Sequence, residues 1–187
     1  MYYSGMKMIN LSGRKVSNTL PGIGKLLAFL YVCAFASNEV YGQKHSHKEE
    51  DAIAIGFVNS IKSRNFDDLK KYFPTASVFR TTAPDETNGK TDAEVLEIAK
   101  PMLDDLDSAY HSLLREADGL KIDVKKISFV SQRLSAIPMT NGGFYLQEIF
   151  FKYGKKKGSF TIGTAYINDK WYIYAIEKSV GVFTELK

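Results

Sequence analysis

Apolar side chains recur three or four residues apart in the segment after residue 50, which predicts an amphipathic helix over residues 51–63. The apolar positions are Ile53, Ala54, Phe57, Val58 and Ile61. A second, shorter helix is predicted in FDDLKKYF, residues 66–73. Asn65 can cap its start, aspartates lie in its first turn, lysines lie in its last turn, and Pro74 ends it.

The middle of the chain predicts a long helix. Thr91 and Glu94 have the spacing of a capping box, in which each side chain satisfies the backbone N–H of the other residue. An apolar stripe continues beyond Pro101, which is expected to kink or restart the helix, as far as Asp118-Gly119. The stripe consists of Leu103, Leu106, Tyr110, Leu113, Leu114 and Ala117.

Period-two patterns predict the strands. SVFRTT, residues 77–82, is predicted to be a short strand, and residues 83–90 form a turn-rich loop. After residue 119 the predicted strands are 120–134, 143–153, 158–167 and 171–179, joined by AIPMTNGG, GKKKG and Asn168-Asp169. Helices followed by an antiparallel meander predict a single α+β domain over residues 52–187.

The first 42 residues are predicted to be a secretory signal peptide. Four basic residues precede the apolar run LLAFLYVCAFA, residues 26–36, and SNEVYG follows it. An uncleaved anchor is the weaker alternative, because a helix needs about 20 apolar residues to cross a bilayer. Cleavage is predicted after Gly42, with Ala34-Phe35-Ala36 as the alternative site, which leaves residues 43–51 as a polar linker. We expect the mature chain in the periplasm or outside the cell.

Composition and charge limit the possible functions. A chain that is 44% apolar and 25% charged is typical of a folded domain. The one cysteine, Cys33, lies in the predicted signal peptide, so the mature chain has neither disulfides nor a thiol nucleophile. The whole chain has a net charge of +4, but residues 43–187 contain 21 basic and 20 acidic residues. We therefore expect no nucleic-acid partner, because such binding needs a basic stripe, and no permanent membrane span.

The order of elements and the stretches FVNSIKSRNFDDLKKYF (57–73) and INDKWYI (167–173) resemble the nuclear transport factor 2-like superfamily. The resemblance covers most of residues 51–179 and implies a cystatin-like cone, in which N-terminal helices pack in a curved antiparallel sheet around a pocket. It also implies that the open sheet face builds a homodimer. Members include ketosteroid isomerases, polyketide cyclases, dehydratases, transport adaptors and exported domains.

The resemblance therefore implies an exported domain of bacterial type whose pocket binds a small apolar or amphipathic ligand or a protein partner. The alternative is a proton-transfer enzyme of the isomerase, cyclase or dehydratase kind.

Both faces of the last predicted hairpin, residues 158–176, are largely apolar, and the resemblance predicts what covers them. Alternation places Phe160, Ile162, Thr164, Tyr166, Trp171, Ile173 and Ala175 on one face, and Thr161, Gly163, Ala165, Ile167, Tyr172, Tyr174 and Ile176 on the other. One face is expected to line the cone. The other is expected to meet a second subunit, with Tyr172 and Tyr174 in the dimer interface. The alternative is a solvated face whose tyrosine hydroxyls lie in water.

Glu148 is the first candidate for catalysis. If Tyr166 pairs with Trp171 and the GKKKG loop has five residues, Glu148 falls on an aromatic face. The expected ligand-binding residues are Tyr110, Leu146, Phe150, Tyr166 and Trp171. Burial there would raise the pKa of the Glu148 carboxyl and suit it to general acid–base catalysis. A slip of one residue instead puts Glu148 in solvent.

His111 is the second candidate for catalysis. Asp107 lies four residues earlier on the same helix, where its carboxylate can orient the imidazole as a base, but an exposed helix contact is the commoner arrangement. Lys155–Lys157 indicate a solvated turn, with contact to an anionic surface as the alternative. The sequence contains no Gly-rich phosphate loop, HExxH or Gly-x-Ser-x-Gly motif, and we expect no cofactor and no metal.

Overall fold

A computed structural model describes residues 47–137, 143–177 and 181–186 of the chain. In this part the protein is α+β, with helices first and a four-stranded antiparallel sheet after them. The predicted signal peptide with its cleavage site, and residues 43–46 of the predicted linker, lie outside the described residues.

The helices predicted over residues 51–63, over 66–73 and from Thr91 to Gly119 are present, although the first begins at His47, within the predicted linker. Helical segments also occupy 84–87, predicted to be part of a loop, 124–126, predicted to be part of the strand 120–134, and 184–186, where no element was predicted. The structure describes seven helical segments. They are α1 (His47–Ser63), the 3-10 helix η1 (Phe66–Tyr72), α2 (Ala76–Thr82), α3 (Pro84–Thr87), α4 (Asp92–Gly119), and the short 3-10 helices η2 (Val124–Lys126) and η3 (Thr184–Leu186). Asn65 caps η1 as predicted, because its side chain accepts a hydrogen bond from the backbone N–H of Asp67.

Helix α4 confirms the predicted capping box. The Glu94 carboxylate accepts from the backbone N–H of Thr91 at 2.8 Å, and the Thr91 hydroxyl accepts from the Glu94 N–H at 3.4 Å. The helix runs for 28 residues through Pro101 and ends at Gly119. It is tied to α1 by the Tyr110 hydroxyl, which donates to the carbonyl of Ser60 at 2.6 Å.

The strand predicted for residues 77–82 is wrong, because this segment forms helix α2. Its buried side chains, Val78, Phe79 and Thr82, have helical spacing, and the Phe79 ring packs against Tyr174 with 6.3 Å between centroids. The β-branched and aromatic residues of this segment favour a strand, but such preferences are weak and packing overrides them.

The strands are β1 (Ile127–Ala136), β2 (Phe144–Tyr153), β3 (Lys156–Ile167) and β4 (Lys170–Ile176), in the order β1-β2-β3-β4. The turn at Asn168-Asp169 is confirmed, and both residues have the positive φ (50° and 59°) that a type I′ hairpin turn requires. The turn between β2 and β3 differs from the prediction. Tyr153 pairs with Lys156, so the loop has two residues and begins at Gly154, whose φ is 61°.

Cross-strand pairing defines two faces of the sheet. The inner face includes Tyr145, Gln147, Ile149 and Phe151 of β2 and Phe160, Ile162, Thr164 and Tyr166 of β3. The outer face includes Leu146, Glu148 and Phe150 of β2 and Thr161, Gly163 and Ala165 of β3. Helix α1 packs on the inner face, where the rings of Phe57 and Phe160 lie 5.4 Å apart.

A β-bulge in β4 changes the predicted faces of the last hairpin. The register shifts between Gly163 and Thr164, so that Thr164 pairs with Ile173 while Gly163 pairs with Ala175. Because one extra residue on β4 shifts the alternation, Ile176 lies opposite Ile162 on the inner face, whereas Ala175 lies on the outer face. Strict alternation assigned these last two residues the other way round.

Candidate functional site

Polar side chains of the inner sheet face contact the beginning of α1. Gln147 Nε2 donates to the backbone carbonyl of Glu50 at 2.9 Å, and Gln132 Nε2 donates to the Glu50 carboxylate at 3.3 Å. Gln147 has no solvent-accessible surface, and Glu50 is 5% exposed. Because Gln132 and Gln147 lie on neighbouring strands, β1 and β2, the two amides converge on one helical turn.

The oxygen atoms of both amides are left as buried acceptors. Gln132 Oε1 and Gln147 Oε1 have no hydrogen-bond partner within the part of the chain that the structure describes. The Thr164 hydroxyl also has no hydrogen-bond partner in the described ranges, and Thr164 is 1% exposed. Thr164 pairs with Tyr145 while Gln147 pairs with Ile162, so Thr164 and Gln147 are diagonal neighbours on the inner face.

Aromatic rings border these polar atoms. Trp171 lies with its ring centroid 5.2 Å from Tyr145 on one side and 5.2 Å from Tyr166 on the other. Burial raises the pKa of the Tyr145 phenol, and the nearby negative charge of Glu50 raises it further. We call Glu50, Gln132, Tyr145, Gln147, Thr164 and Trp171 the Gln147 site.

The Gln147 site favours hydrogen-bond donors. The amide oxygens are acceptors without lone-pair partners, and the Glu50 carboxylate is also an acceptor when ionised. Hydroxyl, amine and ammonium groups are the chemical complement of these oxygens, because each donates hydrogen bonds. A carboxylate or phosphate ligand would place negative charge against Glu50 and leave the amide oxygens unsatisfied.

Glu148, the first predicted catalytic residue, lies on the other side of the sheet. It pairs with Thr161 and with Arg133, whose guanidinium donates to the Glu148 carboxylate at 2.6 Å. The predicted placement beside Tyr166 and Trp171 is wrong because it assumed a five-residue loop. The observed two-residue loop shifts the β2–β3 register by an odd number of positions, and an odd shift moves a side chain to the opposite face.

The predicted ligand-binding residues do not form one surface. Tyr166 and Trp171 are on the inner face, where Trp171 is part of the Gln147 site and Tyr166 packs against it. Leu146 and Phe150 are on the outer face with Glu148. Tyr110 is completely buried in the core, where desolvation raises the pKa of its phenol to about 12.

His111, the second predicted catalytic residue, is an exposed residue of α4. Its Nε2 lies 3.3 Å from the Asp107 carboxylate, and roughly half of each side chain is accessible, at 47% and 52%. The imidazole also lies beside the rings of Tyr110 and Phe66. This geometry corresponds to the exposed helix contact that is the commoner arrangement of such a pair.

The two tyrosines predicted for the dimer interface are buried within one chain. Tyr174 is 3% exposed and Tyr172 is 7% exposed, and the Tyr174 ring packs against Phe79 and Phe144. Burial also raises the pKa of the Tyr172 phenol. Little of either side chain is therefore available to a second subunit, and the homodimer itself stays a prediction.

Among residues 47–137, 143–177 and 181–186, no three His, Cys, Asp or Glu side chains are grouped so that they could hold a metal ion. None of the helices in these ranges has the length and apolar character needed to span a bilayer.

Four residues of the site were not predicted from the sequence: Glu50, Gln132, Gln147 and Thr164. One signal was present in β2, where glutamine interrupts an alternating series of apolar residues, Tyr145, Ile149 and Phe151. A polar residue within the apolar face of a strand indicates either a buried contact or a site. Whether Gln147 faces the core depends on the register of β2 and β3, which the length of the loop between them sets.

No protein-family model, no curated protein and no solved structure matches this chain. The resemblance to the nuclear transport factor 2-like superfamily therefore stays a prediction that rests on the element order and the quoted stretches. The structure shows an α+β fold in which helices are followed by an antiparallel sheet.

Proposed function

We propose that the protein is an exported binding domain whose Gln147 site takes a small amphipathic molecule through hydrogen-bond donor groups. The observation that carries the proposal is the pair of buried amide oxygens, Gln132 Oε1 and Gln147 Oε1, which lack partners in the described ranges while both amide nitrogens bond to Glu50. The proposal includes the cone fold, for which the support is the element order. It includes export, for which the support is the pattern of residues 1–42.

The two unsatisfied amide oxygens destabilise the unliganded protein. A buried polar group without a partner costs about 1–3 kcal/mol, because it has lost its hydrogen bonds to water. Folded proteins retain few such groups, and those that remain call for an explanation such as a ligand or an ordered water. A ligand that donates to both amide oxygens recovers this free energy on binding, whereas a ligand without donors does not.

The aromatic rings of the site favour a ligand that carries a positive charge. Trp171 and Tyr145 pack against each other, and Tyr145 is close enough to Glu50 for the carboxylate charge to raise the pKa of its phenol. A cationic group gains from both features, since ring faces and carboxylates attract positive charge. We therefore expect a preference for cationic donors over neutral donors, and for neutral donors over anions.

The test uses three probes that share one aromatic ring. Benzylamine carries a cationic donor, benzyl alcohol a neutral donor and benzoate an anionic acceptor. Trp171 is the only tryptophan in the sequence, so its fluorescence reports binding at this site without interference from another indole. We expect benzylamine to bind with a roughly millimolar Kd, as molecules of this size do, with benzyl alcohol weaker and benzoate weakest.

Two threonines of β3 provide matched variants. Thr164→Val removes a hydroxyl from the Gln147 site, and Thr161→Val removes one from the outer face of the same strand. We expect Thr164→Val and Gln147→Met to weaken benzylamine binding, and Thr161→Val to leave it unchanged. Equal binding of benzylamine and benzoate, or an equal loss in both threonine variants, would disprove the proposal.

The alternative, a proton-transfer enzyme that uses Glu148 or His111, has less support. Glu148 is paired with Arg133 on the outer face, and His111 is exposed on α4. The predicted homodimer is a separate part of the proposal, and sedimentation equilibrium of the wild-type protein tests it directly.

A further inference from the structure

Lysines from two distant segments meet at one end of the sheet. Lys125 and Lys126 belong to η2, directly before β1, and Ile127 at the start of β1 pairs with Tyr153 at the end of β2. The β2–β3 hairpin carries the others on both sides of its turn. The lysine patch consists of Lys125, Lys126, Lys152, Lys155, Lys156 and Lys157, all of them exposed.

The lysine patch concentrates positive charge in one region of the molecule. Its six lysines carry +6, whereas the other 15 basic and 20 acidic residues of segment 43–187 together carry −5. Asp123 lies at the start of η2 and offsets part of this charge, because its carboxylate is 3.5 Å from Lys126 Nζ and also accepts from the Lys125 N–H. A nearly neutral chain thus presents a strongly positive end, which attracts polyanions at long range.

Local stability does not explain this arrangement. Lys152 and Lys157 are directly paired across the two strands, and like charges in that position destabilise a hairpin. The two-residue turn requires a glycine, which Gly154 supplies, but it requires none of the surrounding lysines. A binding role for the lysines accounts for a pairing that folding alone disfavours.

We propose that the lysine patch docks the protein on an anionic lipid surface, independently of any ligand in the Gln147 site. Clusters of four to eight basic residues are typical of proteins that bind anionic headgroups peripherally. All six residues are lysines, which act as hydrated point charges and suit a fluid array of headgroups. Recognition of nucleic acid instead favours arginine, because its planar guanidinium makes bidentate contacts with phosphate and guanine.

The experiment measures sedimentation with vesicles of phosphatidylcholine, with and without phosphatidylglycerol. Wild type and variants are all produced in the same expression host. Any leader segment that remains therefore contributes equally to the vesicle binding of each. Lys125→Gln with Lys126→Gln removes two charges from the patch. Lys90→Gln with Lys100→Gln removes two charges from exposed positions at the end of the α3–α4 loop and on α4, and serves as the matched control.

Each lysine near an anionic surface contributes roughly a fivefold gain in binding, so the patch variant should bind phosphatidylglycerol vesicles about 10- to 30-fold more weakly. The control variant should stay within about twofold of the wild type, since its charges lie elsewhere. Raising the salt concentration should release the wild-type protein. Circular dichroism melts of both variants check that each is folded, and these exposed substitutions are not expected to change stability.

Three results would overturn the proposal. The first is equal wild-type binding to vesicles with and without phosphatidylglycerol. The second is an equal loss in the patch and control variants, which would show that net charge rather than the patch decides binding. The third is tighter binding to a mixed-sequence DNA duplex than to the vesicles, with the same loss in the patch variant, which would assign the surface to nucleic acid.

Discussion

Replacing Gln147 with methionine should stabilise the unliganded protein. Methionine has nearly the shape of glutamine but no amide, so Gln147→Met removes an unsatisfied buried acceptor together with the hydrogen bond to the Glu50 carbonyl. Loss of that hydrogen bond costs about 0.5–1.5 kcal/mol, whereas removal of the unsatisfied oxygen returns about 1–3 kcal/mol. The free energy of unfolding should therefore rise by roughly 1 kcal/mol.

The assay is urea denaturation followed by circular dichroism, with thermal melts as a second measurement. For a domain of this size, a change of about 1 kcal/mol corresponds to an increase of about 3–4 °C in Tm. Thr164→Val should behave in the same way, because it also removes a buried group that has no partner in the described ranges. A gain in stability together with weaker benzylamine binding is the expected combination at a functional site.

A fall of more than about 1.5 kcal/mol in the free energy of unfolding of Gln147→Met would contradict this expectation, because it exceeds the value of one hydrogen bond. That result would mean that an ordered water satisfies the amide oxygen and that the glutamine is a structural residue. Ser60→Ala provides the contrasting control. The Ser60 hydroxyl donates to the carbonyl of Phe57 at 2.8 Å, so its removal should destabilise the protein.

Three further predictions concern stability. Thr91→Ala should lower the free energy of unfolding by about 1 kcal/mol because it removes the capping box of α4, and an unchanged melt would contradict this. The pKa of Tyr110 is raised to about 12, above its ordinary value of about 10, so its contribution is complete below pH 10 and is lost as the pH rises toward 12. The stability difference between wild type and Tyr110→Phe in urea titrations should therefore narrow from pH 10 to 12, and a widening difference would refute the assignment. Glu148→Gln should cost less than about 1 kcal/mol, because the ion pair with Arg133 is partly exposed, and it should leave benzylamine binding unchanged.

Local interactions made parts of the fold predictable from the sequence. The capping box at Thr91 and Glu94, the cap at Asn65 and the turn at Asn168-Asp169 each involve residues within three positions of one another. Their geometry is set by side chains that bond to the nearest backbone or that tolerate positive φ. The order of helices and strands follows from such signals, and the α+β class follows from the order.

Tertiary packing decided the type of one element. Residues 77–82 carry strand-forming side chains, yet they fold as α2 because Phe79 and Val78 are buried there with helical spacing. A segment of six residues has too little intrinsic preference to resist the packing of its neighbours.

The composition of the candidate site depended on register, which no local pattern contains. A two-residue loop at Gly154 in place of a five-residue loop moved Glu148 to the outer face and placed Gln147 on the inner face. The bulge in β4 exchanged the faces of Ala175 and Ile176 in the same way. Because side chains alternate with a period of two, every odd shift in pairing reverses a face. The sequence by itself therefore determined the capped helices, the last hairpin turn and the succession of helices before strands. Only the tertiary structure, by joining Glu50 to glutamines that lie 82 and 97 residues away, determined which polar groups are buried together.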